Sequence, residues 1–205
     1  MKFAELFETP TYLDRELPVD DVSVGIMSVD TLDREYTLLG SVRSGTDQVV
    51  GALKNNHKSA VIGHAVMRDD GKYSIRVVTT LTFHEVPDLG ELKGKTLQVD
   101  TVVSTDEARG AGYGYTLYKM LLNAGFTLAS DNIQYRGGRE LWKKIIRRAP
   151  IDGHVIMILQ NGVLMRDQAG AIIHYDGSNV PADVIWSTNP RSVEHYNTLL
   201  VVRNK

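Results

Sequence analysis

Apolar residues follow two rhythms along the chain, and the change between them marks the elements. The first half carries β-branched and alternating runs. "VSVGIMSV" (Val22–Val29) reads as a strand, and "EYTLLGSV" (Glu35–Val42) as a weaker one. "SGTDQVVGALKNNHKS" (Ser44–Ser59) reads as a loop with one helical turn. From Ser59 to Val86 two β-type runs flank Asp70-Gly71, a favourable hairpin turn. "PDLGELKGK" (Pro87–Lys95) reads as a loop and "TLQVDTVVST" (Thr96–Thr105) as a strand.

The rhythm then becomes helical. Leu117, Met120, Leu121 and Ala124 share one face of a helix predicted over Tyr113–Ala124. "FTLAS" (Phe126–Ser130) is a short strand, and "GGRELWKKIIRRA" (Gly137–Ala149) a second helix ended by Pro150. "HVIMILQNGVLMRD" (His154–Asp167) is a hairpin about Asn161-Gly162, and "AIIHY", "DVIWS" and "TLLVV" are further strand candidates. This order predicts an α+β (mixed α/β) fold: a central, mostly antiparallel twisted sheet flanked by helices, with extra C-terminal strands. The expected organisation is an N-terminal arm (1–20), a main domain (21–167) and a strand-rich extension (168–205) packed on the same domain.

Composition narrows the chemistry. The 205 residues are 42% hydrophobic and 23% charged, ordinary for a chain with a real core. A formal net charge of −2 gives no global field for nucleic acid. Lys143, Lys144, Arg147 and Arg148 read as the solvated face of a helix. The chain has no cysteine, which excludes disulfides, thiolate metal sites and a cysteine nucleophile. With no signal-like start and no run of about 18 apolar residues, a cytoplasmic protein away from membranes is expected. The histidines His57, His64, His154, His174 and His195 show no metal-ligand spacing, so no metal is expected. Trp142 and Trp186 read as core anchors.

One stretch carries chemistry. In "DEARGAGYGYTLYKMLL" (Asp106–Leu122) Gly110, Gly112 and Gly114 fall between a strand and a helix. A helix start leaves backbone N–H groups unpaired, and its dipole adds positive charge there. Small residues let an anion come close, and Arg109 suits phosphate oxygens. A pyrophosphate cradle is expected, with Gly110 the least constrained of the three glycines. A Walker loop would need Gly-Lys-Ser/Thr, but Gly114 is followed by Tyr115-Thr116. A dinucleotide fingerprint would need G-x-G-x-x-G, whereas the spacing here is G-x-G-x-G.

The frame that fits is R-x-x-G-x-G: Arg109, Gly112 and Gly114. After a strand and before a helix, it resembles the acetyl-CoA signature of the GNAT superfamily of N-acetyltransferases, over roughly Thr96 to Ile158. "LASDNIQYRGGRELWKKI" also looks like a segment of phage-encoded GNAT-like proteins, with Ser130-Asp131 after the strand and G-G-x-x-x-W at the helix. The resemblance implies a GNAT-like acyl-CoA-binding domain in which Val102, Val103 and Ser104 bond the pantetheine arm of acetyl-CoA. It places pyrophosphate on the amides of Arg109, Gly110, Ala111, Gly112, Tyr113 and Gly114, beside Tyr115. The adenosine end would lie near Arg139.

The implied reaction is direct acetyl transfer to a primary amine of a small molecule or protein. The amine needs a base, since it is protonated at neutral pH. Asp100 is the first candidate, with Glu85 and His84 as alternatives. The family's thiolate-protonating tyrosine stands where this chain has Trp142, and an indole is no general acid. Tyr135 is the remaining candidate for that role. The same departure implies the alternative, a catalytically inactive GNAT-like binding or inhibitory protein, phage-encoded and acting on a host protein.

Overall fold

The computed structural model describes residues 11–13, 25–44, 47–69, 71, 73–131, 133–186 and 198–205. Among them the chain is mixed α+β, with ten strands in a mostly antiparallel open sheet and four α-helices. In order come β1 (Thr11–Leu13), β2 (Ile26–Ser28), α1 (Val29–Glu35), β3 (Tyr36–Ser44), β4 (Asp47–Lys54) and β5 (Ser59–Met67). Then follow β6 (Tyr73–Leu89), β7 (Leu92–Ser104), α2 (Tyr113–Asn123), β8 (Thr127–Ala129), β9 (Ile133–Tyr135) and α3 (Arg136–Asp152). The last are β10 (His154–Gln160), β11 (Val163–Leu164), α4 (Ala182–Ile185) and β12 (Thr198–Asn204).

Two compact units cut across this order rather than along it. One unit holds β2 to β5, α1, β6 as far as His84, β7 from Asp100, and α2. Its strands β3, β4, β5 and β6 form an antiparallel meander, with β2 paired to β6 through Ile26↔Arg76. Alternation along the strands gives the meander two apolar faces. One face holds Ala52, Val61, Ile75 and Val77, with Leu32 of α1 packed against them. On the other, Gly51 lies under α2, where an added Cβ would overlap Met120 Sδ and touch Leu117. Ser28 starts α1 by accepting a bond from the Thr31 amide at 3.2 Å.

The other unit holds β1, β8 to β12, α3, α4 and the remaining arms of β6 and β7. β12 is the centre of its ladder, pairing antiparallel with β10 on one side and β8 on the other. β8 pairs parallel with β7 over Thr96–Gln98, and β1 pairs parallel with β9. Its core joins Val86, Leu89, Leu92, Ala129, Met157, Leu159, Leu199 and Val201. α3 buries Trp142, Ile145, Ile146 and Ala149, one helical stripe, and leaves Arg147 and Arg148 outside. The β6–β7 turn and the β10–β11 turn meet backbone to backbone. A Cβ on Gly90 would overlap the Gly162 carbonyl, which accepts from the Glu91 amide at 3.0 Å.

Several expectations need correction. Ser44–Ser59 is not a loop, because most of it is β4, whose Val49, Ala52 and Leu53 are buried. Pro87–Lys95 is not a loop either: β6 runs to Leu89 and β7 starts at Leu92, leaving a tight turn at Gly90, φ +62°. Val29 begins α1 rather than ending a strand. Pro150 does not stop α3, which continues to Asp152, since a proline in the last turn removes one bond near the end. "DVIWS" carries the end of helix α4, and "AIIHY" makes only isolated bridges at Ile172 and His174. Asp70 of the expected hairpin turn and most of the 1–20 arm lie outside the described residues.

Candidate functional site

The glycine turn lies wholly in the unit that carries α2. β7 ends at Ser104, and the next amide, Thr105, bonds the Val78 carbonyl of β6 at 2.9 Å. A 3-10 turn over Asp106–Ala108 follows, with Ala108 buried as its anchor. Arg76 of β6 holds it from outside, Nη2 to Glu107 Oε2 at 2.7 Å. Gly110 (φ +78°) and Gly112 (φ +90°) then reverse the chain in the left-handed region that other residues avoid.

Gly112 is the N-cap of α2, so the helix starts with no side-chain cap, and its first turn carries no acidic residue. The first N–H groups of a helix have no acceptor one turn back, and their dipoles add to positive charge there. Two of the amides expected in the cradle are used inside the turn: Arg109 N bonds Thr105 O at 3.1 Å, and Ala111 N bonds Ala108 O at 3.2 Å. That removes Arg109 and Ala111 from the amides expected to contact an anion. Gly110 is not the least constrained glycine, since its positive φ demands one. Gly114 lies within α2. The Arg109 guanidinium is 3.3 Å from Asp106 Oδ1 and partly exposed.

Behind the turn, β6 and β7 are joined by polar side chains. Thr79 Oγ1 and Ser104 Oγ are 2.7 Å apart, and Thr82 Oγ1 and Thr101 Oγ1 are 2.5 Å apart. His84 Nδ1 lies 2.8 Å from Asp100 Oδ1, with the two side chains 46% and 45% exposed. Val102 is half-buried and Val103 buried. A second chain of polar groups reaches α2 itself. Tyr113 Oη is 3.0 Å from His64 Nε2, the rings meeting edge to face, and His64 Nδ1 is 3.2 Å from Asp47 Oδ2. The Nδ1 contact has ion-pair distance but makes no hydrogen bond, and Nδ1 is buried.

No family model, curated protein or solved structure matches the chain. What can be assigned therefore comes from the residues themselves. Of the expected site residues, the structure brings together Asp100 and His84, and separately the turn from Arg109 to Tyr115. Glu85 follows His84 in β6 and is exposed. Tyr135 ends β9, and its side chain lies outside the described residues. Arg139, in α3 of the other unit, stacks over Trp186 with 5.7 Å between guanidinium carbon and ring centroid. Trp142 and Trp186 are buried as expected.

The Asp47–His64 contact has no motif in the sequence: Asp47 starts β4, in a segment whose pattern suggests a loop. His64 offered one signal, a polar residue within the apolar run "AVIGHAV" (Ala60–Val66). Among the described residues no group of three His, Asp or Glu side chains is placed to hold a metal ion, and no helix is long and apolar enough to cross a membrane.

Proposed function

We propose that the chain is an acetyl-CoA-dependent N-acetyltransferase with a GNAT-like fold, moving an acetyl group directly from the thioester to a primary amine. One observation carries the reading: a strand end, a single 3-10 turn, two left-handed glycines and an uncapped helix start follow in that order over Ser104–Tyr113. Such a start favours a phosphate group, and Arg109 stands beside it as a cation. The ladder between β7 and β8 stops at Gln98. Val102, Val103 and Ser104 follow on β7 beyond those paired residues, and a pantetheine arm would bond along their backbone. CoA supplies the activated acyl group, and the protein supplies orientation and a proton acceptor.

Calorimetry with acetyl-CoA and CoA tests the proposal. Binding that Arg109→Glu weakens at least tenfold supports it, and no binding by the folded wild-type protein refutes it.

One observation favours a second reading, a GNAT-like protein that binds without transferring and acts on another protein. The position where the family carries its tyrosine is Trp142, 2% exposed and packed in a core. CoA binding with no thiol released over a panel of amines supports that alternative.

A further inference from the structure

We infer that His84, not Asp100, is the proton acceptor of this site, and that Asp100 is its positioning residue. The inference rests on the acyl-transfer reading for the reaction, and on the pair's own geometry for the assignment. A carboxylate oxygen only accepts hydrogen bonds, so a 2.8 Å contact to Asp100 Oδ1 requires the proton on His84 Nδ1. The neutral ring then carries its lone pair on Nε2. This is the arrangement in which a carboxylate fixes the tautomer of a general base and stabilises the imidazolium that forms.

Two further points favour the histidine. Both side chains are about half exposed, so an acceptor from solvent reaches them. The backbone under them is held: the Phe83 amide bonds the Lys58 carbonyl at 3.0 Å, and the Thr82–Thr101 contact ties the two strands one step away. Charged groups near His84 along the strands include Asp100 on β7, Glu85 after it on β6 and Lys58 just before β5.

In the step itself, an ammonium acceptor first loses one proton to solvent. The amine nitrogen then bonds the thioester carbonyl carbon, and its second proton goes to His84 Nε2. The C–S bond breaks with its electron pair on sulfur, the thiolate takes a proton from water, and His84 Nε2–H gives its proton to the hydroxide left behind, which restores the base. No oxidant or further reactant is needed.

The test joins a tautomer measurement to kinetics on the full chain. Long-range nitrogen–proton NMR of the histidine rings is expected to show His84 as the Nδ1–H tautomer, with Asp100→Asn raising the Nε2–H population. An Nε2–H ring in the wild-type protein overturns the pairing whether or not CoA binds. With acetyl-CoA and a primary amine that is turned over, His84→Gln is expected to lower kcat roughly 100-fold or more while CoA affinity by calorimetry holds. Asp100→Asn is expected to move the acidic limb of the pH–rate profile, where the base loses its proton, to lower pH. A His84→Gln enzyme with unchanged kcat overturns the inference. Loss of CoA binding in the wild-type protein, with the Nδ1–H tautomer present, refutes the acyl-transfer reading and supports the pair.

Discussion

The same substitution, glycine to alanine, is expected to change stability in opposite directions at two positions of this chain. At Gly110 the backbone has φ +78°, and an added Cβ meets nothing within 4 Å. The cost is then conformational alone, about 1–2 kcal/mol for an L residue in the left-handed region. At Gly137, in the first turn of α3, φ is not positive and the space is equally open. There alanine removes unfolded-state freedom and raises helix propensity, a gain of about 0.5 kcal/mol near a helix end and up to about 1 in an interior. For a chain of this size roughly 2–4 °C accompanies each kcal/mol. Thermal unfolding should therefore place Gly110→Ala about 2–8 °C below the wild-type protein and Gly137→Ala about 1–4 °C above it. Gly110→Asn should recover most of the loss, because asparagine enters the left-handed region readily. A Gly110→Ala protein as stable as the wild type would show that the turn does not have this backbone, and the cradle built on it would go too.

Other expectations do not depend on the left-handed glycines of that turn. His154 is 5% exposed and neither ring nitrogen has a partner, so His154→Leu should leave stability unchanged or raise it by about 1–2 kcal/mol in urea unfolding. A loss above that size would reveal a polar contact at the ring. Tyr113→Phe removes the bond to His64 and should cost about 0.5–1.5 kcal/mol by the same measurement, with an unchanged midpoint counting against the contact. The Asp176 carboxylate is held below its ordinary pKa, first by the Ser178 amide, then by the Asn179 amide and the Ser178 hydroxyl. A depressed pKa gives stabilisation that is present above the ordinary value and lost as pH falls through the folded one. Hydrogen exchange at Ser178 and Asn179 should therefore keep its protection at neutral pH and lose it only below the usual carboxylate range. Asp176→Asn should show no such acid transition.

The elements that were legible before the structure are those whose own residues decide them. The stripe Leu117, Met120, Leu121 marks α2, and Asn161-Gly162, both with positive φ, marks the β10–β11 hairpin. β4 was illegible because its polar ends and Gly51 suggest a loop. Gly51 is there because a helix presses on it, a fact of packing that no local pattern carries. "DVIWS" reads as a strand from its β-branched core, yet the four-residue helix α4 forms instead, with Pro181 as its N-cap. At the site, the glycines and Arg109 stood next to each other in sequence and were found. The pairing of His84 with Asp100 and the chain from Asp47 through His64 to Tyr113 join residues far apart along the chain, and only the strand register brings them within reach.

That last chain also bears on the order in which the protein can assemble. Tyr113 is bonded to a residue 49 positions earlier, so the start of α2 is fixed only after β4 and β5 have paired and the helix has settled on them. Contacts of such long sequence separation form late, because loop closure must be met before they contribute. A synthetic peptide spanning residues 105–124 would contain every glycine of the turn and still lack the groups that hold it. Refolding chains would acquire the turn's geometry after the meander.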